Sequence, residues 1–82
     1  MEEAFQILVN YKDAEVSFDA KLLSFTYTYK IEVEIDGWLV WFERDDEGMW
    51  RGILKEEIAK GSRVPDAQLL LLITEQLMKD FS

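Results

Sequence analysis

Eighty-two residues allow one domain with one core; about half are apolar and 13% aromatic, which argues against disorder. Seventeen acids stand against nine bases, for a net charge of −8. Duplex nucleic acid is therefore disfavoured as a direct ligand, because such binding needs a basic footprint. The chain has no Cys and no His, which removes disulfides, thiolate chemistry, the commonest general base and the commonest transition-metal ligand. No cofactor is expected, and only carboxylate sites for hard cations stay open.

The start, Met1-Glu2-Glu3, has neither the basic nor the apolar region of a secretory signal. The apolar run Leu69–Ile73 is far too short to span a bilayer. The expectation is a cytoplasmic protein with no membrane attachment.

Ala4–Tyr11 reads as the first strand, with Phe5, Ile7, Val9 and Tyr11 on one face. A tight turn at Asp13-Ala14 would set Lys12 opposite Glu15, Tyr11 opposite Val16 and Val9 opposite Phe18. The second strand then runs from Glu15 to about Lys21 with Val16, Phe18 and Ala20 inward. Leu22-Leu23-Ser24 breaks the alternation, so a connection or a β-bulge is expected there.

From Phe25 to Asp36 the alternation is the cleanest in the chain. Phe25, Tyr27, Tyr29, Ile31, Val33 and Ile35 share one face, and Lys30, Glu32 and Glu34 lie on the other. Asp36-Gly37 is a type I′ hairpin signal that pairs Ile35 with Trp38, Val33 with Val40 and Ile31 with Phe42. A second turn at Asp46-Glu47-Gly48 sets Glu43 opposite Arg51, Phe42 opposite Gly52, Trp41 opposite Ile53 and Val40 opposite Leu54. The two turns agree on one outer row, Lys30–Glu43–Arg51, alternating in sign.

Residues 55–64 read either as a helical turn stopped by Gly61 or as the tail of a fifth strand. Val64-Pro65-Asp66 marks a helix entry with Asp66 as N-cap. Ala67–Phe81 is the helix, with Leu69, Leu70, Ile73, Leu77 and Phe81 as its apolar stripe. The expected fold class is α+β: a single domain over 1–82, an antiparallel meander of four to five strands, with one C-terminal helix packed on one face.

Four features bear on function. Leu39, Trp41 and Ile53 form an apolar cluster on the face away from the helix, rimmed by Glu32, Glu34, Lys30 and Arg51; this has the composition of a protein contact patch. Its alternative is a second small core under a folded-over 55–64 segment. Residues 32–47 carry seven acids against Arg44 alone. Acids at turns and on the solvent face of a hairpin discourage strand aggregation. The other readings are a strip that steers a basic protein, a weak cation site at Asp45–Gly48 without calcium-loop spacing, or an imitation of a nucleic-acid backbone.

The sheet aromatics, including Tyr27, Tyr29, Trp38, Phe42 and Trp50, read as core because no basic groove accompanies them. Leu71, Leu72 and Met78 fall outside the main helix stripe and suggest either self-association as a homodimer or a deep groove around the helix. No nucleophile–base pair is bracketed by the sequence. The leading expectation is a non-enzymatic protein-interaction or regulatory module. Its rivals are a binder of small apolar ligands, with a cavity lined by Phe18, Tyr29, Phe42 and Trp50, and an acidic nucleic-acid mimic.

Overall fold

Each strand pairs with the next along the chain. The computed structural model describes residues Glu2–Asp80 and orders them as β1 (Glu2–Tyr11), β2 (Ala14–Ser24), β3 (Tyr29–Ile35), β4 (Trp38–Arg44), β5 (Trp50–Glu57) and α1 (Ala67–Asp80). The sheet order is β1-β2-β3-β4-β5, antiparallel throughout. This is the α+β meander with a terminal helix that the patterning predicts.

Both later turns form as the sequence dictates. Asp36 and Gly37 take left-handed conformations (φ 48° and 87°), the geometry of a type I′ turn, and set Ile35 opposite Trp38. Gly48 (φ 82°) closes the loop after β4. The Asp45 carboxylate accepts the Glu47 and Met49 amides at 2.9 and 3.0 Å, stitching that loop together.

The first turn lies one residue earlier than expected. Lys12 and Asp13, not Asp13 and Ala14, are its central residues (φ 51° and 63°), so Tyr11 pairs with Ala14 and Ile7 with Phe18. Asp tolerates the left-handed region that a type I′ turn requires at its second central position, whereas Ala14 would meet a Cβ penalty there. The shift displaces the pairing by two residues, which conserves faces; Ile7, Val9, Phe18 and Ala20 still point into the core.

The break near Leu22–Ser24 resolves without a bulge. β2 continues to Ser24, pairs it with Tyr29, and a loop of residues 25–28 closed by the Phe25 amide on the Thr28 carbonyl (2.8 Å) joins the strands. The regular strand therefore begins at Tyr29 and not at Phe25. Phe25 and Tyr27 belong to the loop and are exposed. Alternation alone could not reveal this, because a loop of alternating aromatics and threonines looks like strand.

β5 carries the tail option for residues 55–57. Between Leu54, opposite Val40, and Glu56, opposite Leu39, Lys55 is an extra residue and forms a bulge. The chain then docks on the β3–β4 turn, where the Ile58 and Ala59 amides donate to the Gly37 carbonyl at 2.8 and 3.1 Å. A turn over Ala59–Ser62, with Gly61 left-handed (φ 84°), leads to the helix.

Asp66 caps α1 as expected: its side chain accepts the Gln68 amide at 3.1 Å and its carbonyl takes the Leu70 amide. Its second carboxylate oxygen accepts the Tyr11 hydroxyl at 2.6 Å, tying the cap to the end of β1. The Tyr11 hydrogen bond holds the Asp66 carboxyl below its usual range, and the same bond raises the Tyr11 phenol.

α1 lies against both edge strands, β1 and β5, so the sheet curls around it. Leu69, Ile73 and Leu77 are buried against Ile7, Phe18, Ile31, Val33, Ile35, Val40 and Phe42 in one continuous core. Full burial of each such side chain contributes about 1.5–3 kcal/mol. Phe81, the last residue of the predicted stripe, lies outside the described residues. At β5, Gly52 makes room for Phe42; a Cβ there would sit 3.1 Å from the Phe42 ring.

Candidate interaction face

Among the described residues, no helix or strand covers the face of the sheet opposite α1. One cross-strand row runs Ala4–Lys21–Glu32–Trp41–Ile53, each residue the partner of the next. Roughly 7 Å away on one side lies the row Leu23–Lys30, continued by Glu43–Arg51. On the other side, Gln6 faces Asp19 and Glu34–Leu39–Glu56 are paired. The patch named from the sequence, Leu39, Trp41, Ile53, Glu32 and Glu34, is thus brought together across β3, β4 and β5. The 58–62 segment docks at the Gly37 end of the sheet.

Trp41 is the centre of the face and its side chain is held from several directions. Its indole N–H donates to Glu32 Oε2 at 2.9 Å. The Lys30 and Lys55 ammoniums each lie 4.8 Å from the indole centroid, within cation–π range. The Phe25 ring packs 6.4 Å away at 53°, also beneath Lys30. Strand parity places Phe25 on the core face, whereas the loop turns its ring to the outer face; Lys55 reaches Trp41 from the bulge. Strand parity with Arg51 and Ile53 puts Lys55 on the outer face, but its reach to Trp41 depends on the bulge between Leu54 and Glu56.

The expected charge row forms. Lys30 Nζ lies 3.1 Å from Glu43 Oε2, and Arg51 Nη2 donates to Glu43 Oε1 at 2.9 Å. The Lys30 and then the Arg51 contact hold the Glu43 carboxyl below its ordinary value. Such exposed pairs are worth about 0–1 kcal/mol.

The acids of residues 32–47 do not converge. Glu32 is engaged by Trp41, Glu43 by Lys30 and Arg51, and Asp45 by its own loop. Asp36 sits in the turn at the opposite end of the hairpin from Asp45–Glu47. Among the described residues, no group of three or more acids is arranged to hold a metal ion.

Phe18, Phe42 and Trp50 are closed into the core, with Tyr29 at its margin edge-on to Trp50 at 6.0 Å. The grooves in the surface lie elsewhere. One, of about 330 Å³, opens on the outer face between Ala4, Asp19, Lys21, Glu32, Glu34 and Leu39. A second, of about 220 Å³, lies where Leu8 and Glu15 face Leu72, Gln76 and Lys79 of α1.

The three helix residues named for self-association separate. Leu72 is half-buried on the β1 side and packs against the core, whereas Leu71 and Met78 are exposed on another flank. Among the described residues, no helix is long and apolar enough to cross a membrane. No family model matches the chain, and no curated protein or solved structure matches it either.

Proposed function

We propose that this domain is a non-enzymatic protein-interaction module, of a regulatory kind, that docks a partner on the outer sheet face around Trp41. The observation that supports this reading is the fixed Trp41 side chain on an uncovered sheet face: hydrogen-bonded to Glu32, flanked by two ammoniums and set beside Phe25. A tryptophan held in one rotamer loses little further conformational entropy when a partner covers it, and Trp is enriched among interface residues that dominate affinity. Leu39 and Ile53 extend the apolar area, and Ile53 is 41% exposed.

The test is a pull-down with wild type, Trp41→Ala and Leu39→Asp, each shown to be folded by circular dichroism. Leu71→Asp, on the exposed helix flank, is the control. Partner recovery should fall at least tenfold for the first two and hold for the control, a change of about 1.4 kcal/mol or more in binding. Equal recovery with folded Trp41→Ala and Leu39→Asp would remove the outer face from consideration.

A further inference from the structure

The outer face is electrically lopsided. At its Lys30–Glu43–Arg51 end, two bases share the single carboxylate of Glu43, at 3.1 and 2.9 Å. At the other end, the 330 Å³ groove is rimmed by Asp19, Glu32 and Glu34 against Lys21 alone. The Glu34 carboxylate makes no hydrogen bond or ion pair among the described residues. Glu32 gives one oxygen to the Trp41 indole, and Asp19 receives only a long contact of 3.4 Å from Gln6. The groove between these carboxylates is apolar. Ala4 stands opposite Lys21, where its single methyl leaves the space open, and Leu39 forms the far wall.

A groove with apolar walls and unmatched carboxylates on its rim complements one kind of side chain: a cation on an apolar stem. We infer that the groove takes an arginine side chain of the docked partner, its methylenes against Ala4 and Leu39 and its guanidinium between Glu34 and Asp19. Arginine fits better than lysine, because its planar fork can bond two carboxylates at once and is more weakly hydrated than an ammonium. The volume lies at the lower end of the range for ligand sites, enough for one long side chain. This inference rests on the reading of the outer face as a docking surface and names the chemistry of its partner.

The probe is the capped tripeptide Ala-Arg-Ala, titrated into ¹⁵N-labelled protein and followed by amide chemical shifts, with the citrulline tripeptide as its uncharged isostere. Saturable shifts are expected at Ala4, Glu32, Glu34 and Leu39, with a dissociation constant on the order of 1 mM. Citrulline should bind at least tenfold more weakly, and Glu34→Gln and Asp19→Asn should each weaken arginine binding about tenfold. The distal double variant Asp46→Asn/Glu47→Gln should leave it unchanged. Shifts spread over both acidic ends of the sheet, equal binding of citrulline, or no saturable shift would overturn the arginine assignment. The pull-down reports separately: loss of partner with Trp41→Ala beside a flat titration keeps the docking face and discards the arginine.

Discussion

Replacing Gly37 by alanine tests the contact that anchors the chain between β5 and α1. A Cβ at Gly37 would overlap the Ser62 hydroxyl and come within 3.0 Å of Ala59 Cβ. Ser62 cannot swing away freely, since its hydroxyl donates to the Ala59 carbonyl at 2.6 Å. The Gly37 carbonyl also receives the Ile58 and Ala59 amides, so moving the turn disturbs both bonds.

Gly48 supplies the control, with nearly the same φ (82° against 87°) and nothing within 4 Å of a built Cβ. Alanine in the left-handed region costs about 1–2 kcal/mol, offset by about 0.4–1 kcal/mol from a less flexible unfolded chain. Gly48→Ala should therefore destabilise by roughly 0–1.5 kcal/mol. Gly37→Ala adds an overpacking cost of about 1–3 kcal/mol. In a domain of this size each kcal/mol moves the melting temperature by about 4–8 °C. Urea denaturation with unchanged m-values would measure the gap between the two variants. Ser62→Gly in the Gly37→Ala background should recover part of it. Equal losses in Gly37→Ala and Gly48→Ala would refute the docking argument.

Two further outcomes follow from the charge and helix arrangements. Because the Lys30 and then the Arg51 contact hold the Glu43 carboxyl below its ordinary value, protonation favours the unfolded chain; the stabilisation is complete above the ordinary carboxylate range and fades as pH falls through the folded value. Glu43→Gln should thus flatten the acid limb of a stability–pH profile measured by urea midpoint, and an unchanged slope would dissociate the row from acid stability. On the helix, Leu71→Asp should change stability by no more than about 0.5 kcal/mol, because Leu71 is 57% exposed. Leu72→Asp, placing a charge beside the core, should cost well over 1 kcal/mol, and thermal melts that rank them the other way would reverse the assignment of the flanks.

The meander from Ile31 to Leu54 is readable in the sequence because two glycine-bearing turns and the alternation of apolar residues constrain one register independently. The first hairpin is less so: Lys12-Asp13 and Asp13-Ala14 preserve the same faces, so patterning cannot choose between them and only left-handed tolerance does. The loop at Phe25–Thr28 is hidden by its own alternation. Of the outer face, Trp41, Leu39, Ile53 and the charge row are legible from strand parity. The reach of Lys55 and the open groove beside Ala4 are not, since both depend on how side chains of four or five strands fill space across a curled sheet.

The hairpin order has a consequence for how the chain is made. Every strand pairs with its immediate neighbour, so each pairing closes over a short loop and can form soon after its second strand appears. The long-range closure is the seating of α1 on β1, across the 55-position separation of Tyr11 and Asp66. Until α1 seats, the inner face, from Ile7 to Phe42, stays open to water. In that interval the bulged β5 edge, with Lys55 in the bulge, guards against pairing with a neighbouring chain.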